Sequence, residues 1–134
     1  INLLGKPTLL RYGGLDISKI EKILKKKILV KTNSKKKTSP GQFHLHYSPG
    51  IPLRINAKKP KKNEAFVLTK KRRANSENYY YLSKKNDLKQ SAKNLYSLLR
   101  TIKKDGYKMI AVEKIPNKGI GKTINDRLKR ASKY

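Results

Sequence analysis

His44 and His46 are the two histidines of the chain, and they stand two residues apart. On an extended segment that spacing puts both imidazoles on one face, where they could offer two nitrogens to a metal. The set is not completed: there is no cysteine, the chain carries eight carboxylates, and none falls close in sequence to the pair. No metal site is therefore expected. Gly121-Lys122-Thr123 opens a predicted helix after a predicted strand and has the ending of a phosphate-cradling loop. Such a loop needs a glycine five positions earlier, where Pro116 stands and removes an amide. A glycine turn between strand and helix is the expectation there. Ser39, His46 and Asp126 make a nucleophile, base and acid on paper, but no nucleophile elbow surrounds the serine, and no catalytic residue is assigned.

The remaining chemistry is charge. Lys and Arg number 35 against eight Asp and Glu, for a net charge of +27. Lysines release counterions on meeting phosphates, which supports nonspecific RNA contact. They are scattered over every segment, however, and a general lysine-rich usage gives the same composition. Absence of cysteine excludes a disulfide framework and thiolate chemistry and fits a reducing, cytoplasmic setting. No apolar run approaches the ~20 residues of a membrane span, so a soluble protein with no membrane partner is expected. At 134 residues there is room for one modest domain with extensions.

The elements that would position these groups can be read from periodicity. Residues 8–29 predict a short strand, a glycine turn and a helix starting near Asp16 or Ser18. Ser18 and Glu21 are at capping-box spacing, and Ile17, Ile20 and Leu24 share a face. Residues 31–38 are polar and aperiodic, a tether. Short strands are predicted at 51–55, at an edge because of Pro52, at 65–69 and at 79–82. Tyr79, Tyr80 and Tyr81 are read as strand residues rather than a base-stacking platform. The clearest helix covers 87–105, with Leu88, Ala92, Leu95, Tyr96, Leu99 and Ile102 in one stripe, Asn86 or Asp87 as cap and Gly106 as stop. A buried strand at 109–112 and a last helix with Ile124, Leu128 and Ala131 inward complete the order. That alternation predicts an α/β fold, a small Rossmann-like, mostly parallel sheet flanked by helices and preceded by a strand-turn-helix remnant and an extended linker.

Between the tether and the sheet lies Ser39 to Pro49, SPGQFHLHYSP, bracketed by prolines and alternating in polarity. It resembles the interdomain linker of the two-domain, YrdC-type threonylcarbamoyl-AMP synthases: Ser/Ala-Pro-Gly, four variable residues, then His-Tyr-Ala/Ser-Pro. Ser39, Pro40, Gly41, His46, Tyr47, Ser48 and Pro49 match, while Phe43 and Leu45 stand where many members carry basic residues. Leu10, Arg11, Gly13 and Gly14 are similar to the Leu-Arg-Pro-Gly-Gly turn that ends the family's catalytic domain, with Tyr12 in place of the proline. The likeness continues through the stretch 82–100 and the closing GIGKTINDRLKRAS.

The resemblance implies three parts: 1–30, the end of a catalytic domain; 31–50, the linker; 51–134, a C-terminal α/β domain. It implies a family reaction in which L-threonine, bicarbonate and ATP, with magnesium, give threonylcarbamoyl-AMP for tRNA modification. Arg11, His46 and Tyr47 would then be nucleotide-binding residues. The chain begins at Ile1 inside what reads as another element, so most of the catalytic domain is expected to lie elsewhere. No tightly bound cofactor is expected, and ATP, L-threonine and bicarbonate would be met only through that domain. The chain alone would be catalytically silent. A small basic RNA-binding protein, with possible tRNA contact, and a non-functional gene remnant are the alternatives.

Overall fold

The computed structural model describes residues 1–31, 48–73 and 76–132. Its larger part is a four-stranded sheet in the order β3-β6-β4-β5, formed by β3 (Leu53–Arg54), β4 (Glu64–Leu68), β5 (Tyr79–Tyr81) and β6 (Met109–Val112), with every pair parallel. Parallel neighbours demand crossovers. The chain leaves β5, runs through α2 (Leu88–Lys104), and returns as β6 between β3 and β4; α3 (Ile120–Ala131) follows.

Side-chain parity explains how this sheet is covered. Register pairs Ala65 with Ile110 and Val67 with Val112, so one face carries Leu53, Ala65, Val67, Ile110 and Val112. Against it lie Leu95, Leu99 and Ile102 of α2 and Ile124, Leu128 and Ala131 of α3, all buried. Both helices therefore sit on the same face. The opposite parity, Phe66, Leu68 and Ala111, is covered by loops, with Ala57 buried on it and Arg72 5.8 Å above the Phe66 ring. There Arg54 holds Glu64 with Nε–Oε1 2.8 Å and Nη2–Oε2 2.6 Å, and the Lys61 amide adds 2.7 Å to Oε2. Glu64 has no exposed surface, so these bonds keep a buried carboxylate ionised; chiefly the Arg54 hydrogen bond holds its pKa below the usual range.

Local chemistry sets the helix ends. The Asp87 side chain accepts from the amides of Lys89 and Gln90, and Gly106, at φ +89°, stops α2 beyond Asp105. Gly121 falls within α3 rather than in the turn before it. A β-carbon there would lie 2.0 Å from the Pro116 carbonyl oxygen, so the close approach of loop to helix admits only glycine. Tyr79 to Tyr81 are half-buried on the edge strand. Tyr79 packs edge-on to Phe66, and Tyr80 packs edge-on to Tyr107 and donates to Asp105 at 2.7 Å.

Residues 1–31 form a small unit: β1 (Thr8–Leu9), α1 (Ile17–Leu24) and β2 (Leu29–Val30), with the strands parallel and Thr8 opposite Leu29. Sequence periodicity missed β2, since two exposed residues show no pattern. The Ser18–Glu21 capping box does not form; of the two readings for the start of α1, Asp16 is the cap. Its carboxylate accepts from the Ser18 amide and hydroxyl at 3.1 Å each, whereas Glu21 reaches the other way, to the Ile28 amide at 2.9 Å. The unit is tied to the larger domain where Thr123 Oγ1 donates to the Gly13 carbonyl at 2.6 Å.

Candidate functional site

Of the residues singled out by sequence, Arg11 and Pro49 fall on described backbone; Ser39, Pro40, Gly41, His44, His46 and Tyr47 lie outside the described residues. The linker motif's last residues are well anchored. Pro49 is buried, Ser48 Oγ accepts from the Gly50 amide at 3.1 Å, and Gly50 adopts φ +73°. These residues open a hollow of about 430 Å³ on α2, beside Lys93, Tyr96 and Arg100. The motif thus enters the larger domain on its helical face.

Arg11 sits on the other unit, exposed, two residues beyond β1. That unit is incompletely covered. Ile1, Leu3, Leu4, Leu15, Ile23, Leu29 and Val30 are exposed there, with Leu4 90% and Ile23 79% accessible, while the larger domain exposes only Met109 among the described large apolar residues. A two-stranded parallel sheet normally continues on both sides and is covered on both faces. Here β1 and β2 have no further strand among the described residues, and the outer edge of β1 is met by the single antiparallel bridge of Asn2 to Thr8.

Next to Arg11, Tyr12 lines a cleft of about 670 Å³ between the small unit and the carboxyl ends of β3 and β6. Lys122, Asn125, Asp126 and Lys129 enter it from α3 at i, i+3, i+4 and i+7, one helical stripe beside the apolar one. Lys114, Ile115 and Asn117 come from the connection after β6, and Ile55 and Asn56 from the one after β3. Asp126 is the cleft's one lining carboxylate, and Arg130 engages both its oxygens at 3.1 and 3.2 Å. Asp16, nearby, is held below the usual carboxylate range first by its Ser18 amide bond and also by the charges of Lys122 and Lys19. No phosphate loop was expected at Gly121-Lys122-Thr123, and its groups are engaged elsewhere. Gly121 and Lys122 give their amides to the Lys118 and Gly119 carbonyls, and Thr123 is buried with its hydroxyl on Gly13.

Sequence reasoning passed over this cleft. Its signal was the polar stripe in α3, which becomes legible once the parallel sheet places the ends of β3 and β6 together. Among the described residues no group of three His, Cys, Asp or Glu could hold a metal, and Asp126 of the paper triad is engaged by Arg130. No helix among them is long and apolar enough to cross a membrane.

A parallel α/β domain with both helices on one face, joined to an unfinished βαβ unit, is the class of protein that fold and surface define. The chain belongs to the family of the threonylcarbamoyl-AMP synthase C-terminal domain, whose pattern matches residues 15–133. It is 26% identical to the threonylcarbamoyl-AMP synthase of Pyrococcus abyssi over 96% of this chain, and 28% identical to that of Bacillus subtilis over 94%. It spans 43% and 42% of the lengths of those two proteins. Its fold is similar to the crystal structure of P. abyssi Sua5 complexed with L-threonine, at TM-score 0.75 and 24% identity over 95% of this chain and 42% of that one. A P. abyssi Sua5 variant with an adjacent His-Tyr pair changed to alanine gives 0.74 at 21% identity.

Proposed function

We propose that this chain is the C-terminal part of a threonylcarbamoyl-AMP synthase, and that it serves a catalytic domain supplied outside residues 1–134. The observation that carries this is the unfinished βαβ unit, with seven exposed large apolar residues and Arg11 on a turn at its surface. Burying apolar surface is worth roughly 25 cal/mol per Å², so such a face has a strong drive to be covered. Residues 1–30 would complete the catalytic domain, 31–50 would link, and 51–134 would be the C-terminal domain.

The reaction condenses L-threonine, bicarbonate and ATP. The threonine amine and bicarbonate form a carbamate with loss of water, a carbamate oxygen attacks the α-phosphorus, the bond to the bridging oxygen breaks, and pyrophosphate leaves. An enzyme promotes this by neutralising the triphosphate and aligning the carbamate, since positioning and electrostatics are all a phosphoryl centre needs from protein. Magnesium travels with ATP. Arg11 is suited to phosphate oxygens by its planar, always-charged fork. His46 and Tyr47 would close over the adenylate, and the product would go on to tRNA. The RNA-binding alternative lacks an aromatic platform at Tyr79 to Tyr81, because two of those rings are engaged in edge-on contacts.

The test mixes this chain with the preceding catalytic portion of the B. subtilis relative, expressed separately, and follows pyrophosphate release from ATP with threonine and bicarbonate present. Release is expected in the mixture and not from this chain alone. Equal rates with and without this chain, at saturating amounts, would contradict the reading.

A further inference from the structure

We propose that the cleft at the carboxyl ends of β3 and β6 binds a phosphate-bearing small molecule through Lys114, Lys122 and Lys129. The site lies wholly on this chain and does not depend on a catalytic domain. Its place in the fold is the first argument. In open parallel α/β sheets, ligands bind in the crevice beyond the carboxyl ends of strands, where the connections part. Here the chain leaves β3 to reach β4 on the far side of β6, while β6 leads into α3, so the two connections separate above neighbouring strands.

Charge is the second. Three lysines from two stretches of chain line one concavity, and the lining carboxylate, Asp126, is already paired with Arg130. Lys114, Lys122 and Lys129 make no ion pair among the described residues; Asp16 lies near Lys122, and Asp126 shares their cleft. A lysine face serving solubility spreads over convex surface, where water screens each charge. Convergence in a cleft raises the local positive potential and concentrates anions.

Dimensions and lining select the ligand. A volume of about 670 Å³ suits a small molecule and not a bare ion. From Lys122 to Lys129 the helix rises about 10 Å, enough for separate ammonium groups to meet two phosphates or a phosphate and a sugar. Tyr12, Ile55 and Ile115 add apolar surface, which a nucleoside would use and inorganic polyphosphate would not. The α3 amides are bonded within the turn, so the anion is held by side chains rather than by the helix start.

The experiment titrates the whole chain with ADP and, separately, with inorganic pyrophosphate by calorimetry. Lys122→Gln/Lys129→Gln is compared with Lys84→Gln/Lys89→Gln, which removes the same charge from exposed positions outside the cleft. One-to-one binding is expected, weakened by about tenfold or more in the cleft variant and about twofold or less in the other. Tighter binding of ADP, lost in Tyr12→Ala, would mark a nucleotide; equal affinities would mark the phosphates alone, and both uphold the site. Absence of binding, several ligands per chain, or equal weakening in the two double variants would overturn it.

Discussion

Replacing Arg54 by Met should expose how the loop-covered face of the sheet is held. Glu64 has no accessible surface and sits at the start of the central strand β4, with three of its four polar contacts made to Arg54 Nε and Nη2. Methionine keeps much of the side-chain volume but leaves the carboxylate with only the Lys61 amide. Removing one partner of a fully buried pair costs ~3–5 kcal/mol; the Arg54 side chain is 34% exposed and the Lys61 amide bond survives, so this case falls below that range, about 2 kcal/mol at neutral pH. The sign with pH follows from Glu64. In the native protein its pKa is depressed, so its contribution is present above the ordinary value of 4.5 and is lost as pH falls through the folded value. In Arg54→Met desolvation raises that pKa instead, the buried group takes a proton more readily, and the deficit shrinks on acidification. Urea unfolding followed by circular dichroism at pH 7 and pH 4 reads both effects. A deficit below about 1 kcal/mol at pH 7, or one that does not change with pH, would refute the assignment of a buried, ionised Glu64.

Leu95→Ala should destabilise the chain by ~2–5 kcal/mol through lost burial and a cavity between α2 and the sheet; a loss within measurement error in urea unfolding would contradict the helix face. Gly121→Ala should cost ~1–3 kcal/mol, because the added methyl meets the Pro116 carbonyl and α3 or its loop must shift; an unchanged unfolding midpoint would show that the approach is not close. Tyr80 has its pKa pushed up by burial, then by the hydrogen bond to Asp105. Its raised value means that stability is full below pH 10 and falls as pH rises beyond it, while Tyr80→Phe should flatten that fall in the same unfolding assay.

The α/β character, the α2 stripe and the edge position of β3 were legible because apolar spacing and Pro52 act within one element. Strand order was not, since nothing local tells β6 to insert between β3 and β4. The start of α1 near Asp16 was one of two readings, but the Ser18–Glu21 capping box does not form, for a related reason. Ser18 and Glu21 have the right spacing, but Asp16 reaches the same amide and Glu21 has a better partner in Ile28. Arg11 was nominated only through the likeness of Leu10, Arg11, Gly13 and Gly14 to the family's turn, and the exposed apolar face around it depends on which residues the fold leaves uncovered. The lysine cleft was hidden by composition: among 35 basic residues, only the fold shows which three converge.

The most direct measurement of the central claim is pyrophosphate release in the two-component mixture, with Tyr47→Ala and Arg11→Ala each introduced into this chain. Both variants should bind the catalytic portion and keep the thermal transition of the unaltered chain, while lowering the rate at saturating ATP by about tenfold or more, as expected when a positioned contact to the reacting nucleotide is lost. Rates that ignore both substitutions would contradict a role for the linker and the Arg11 turn at the nucleotide.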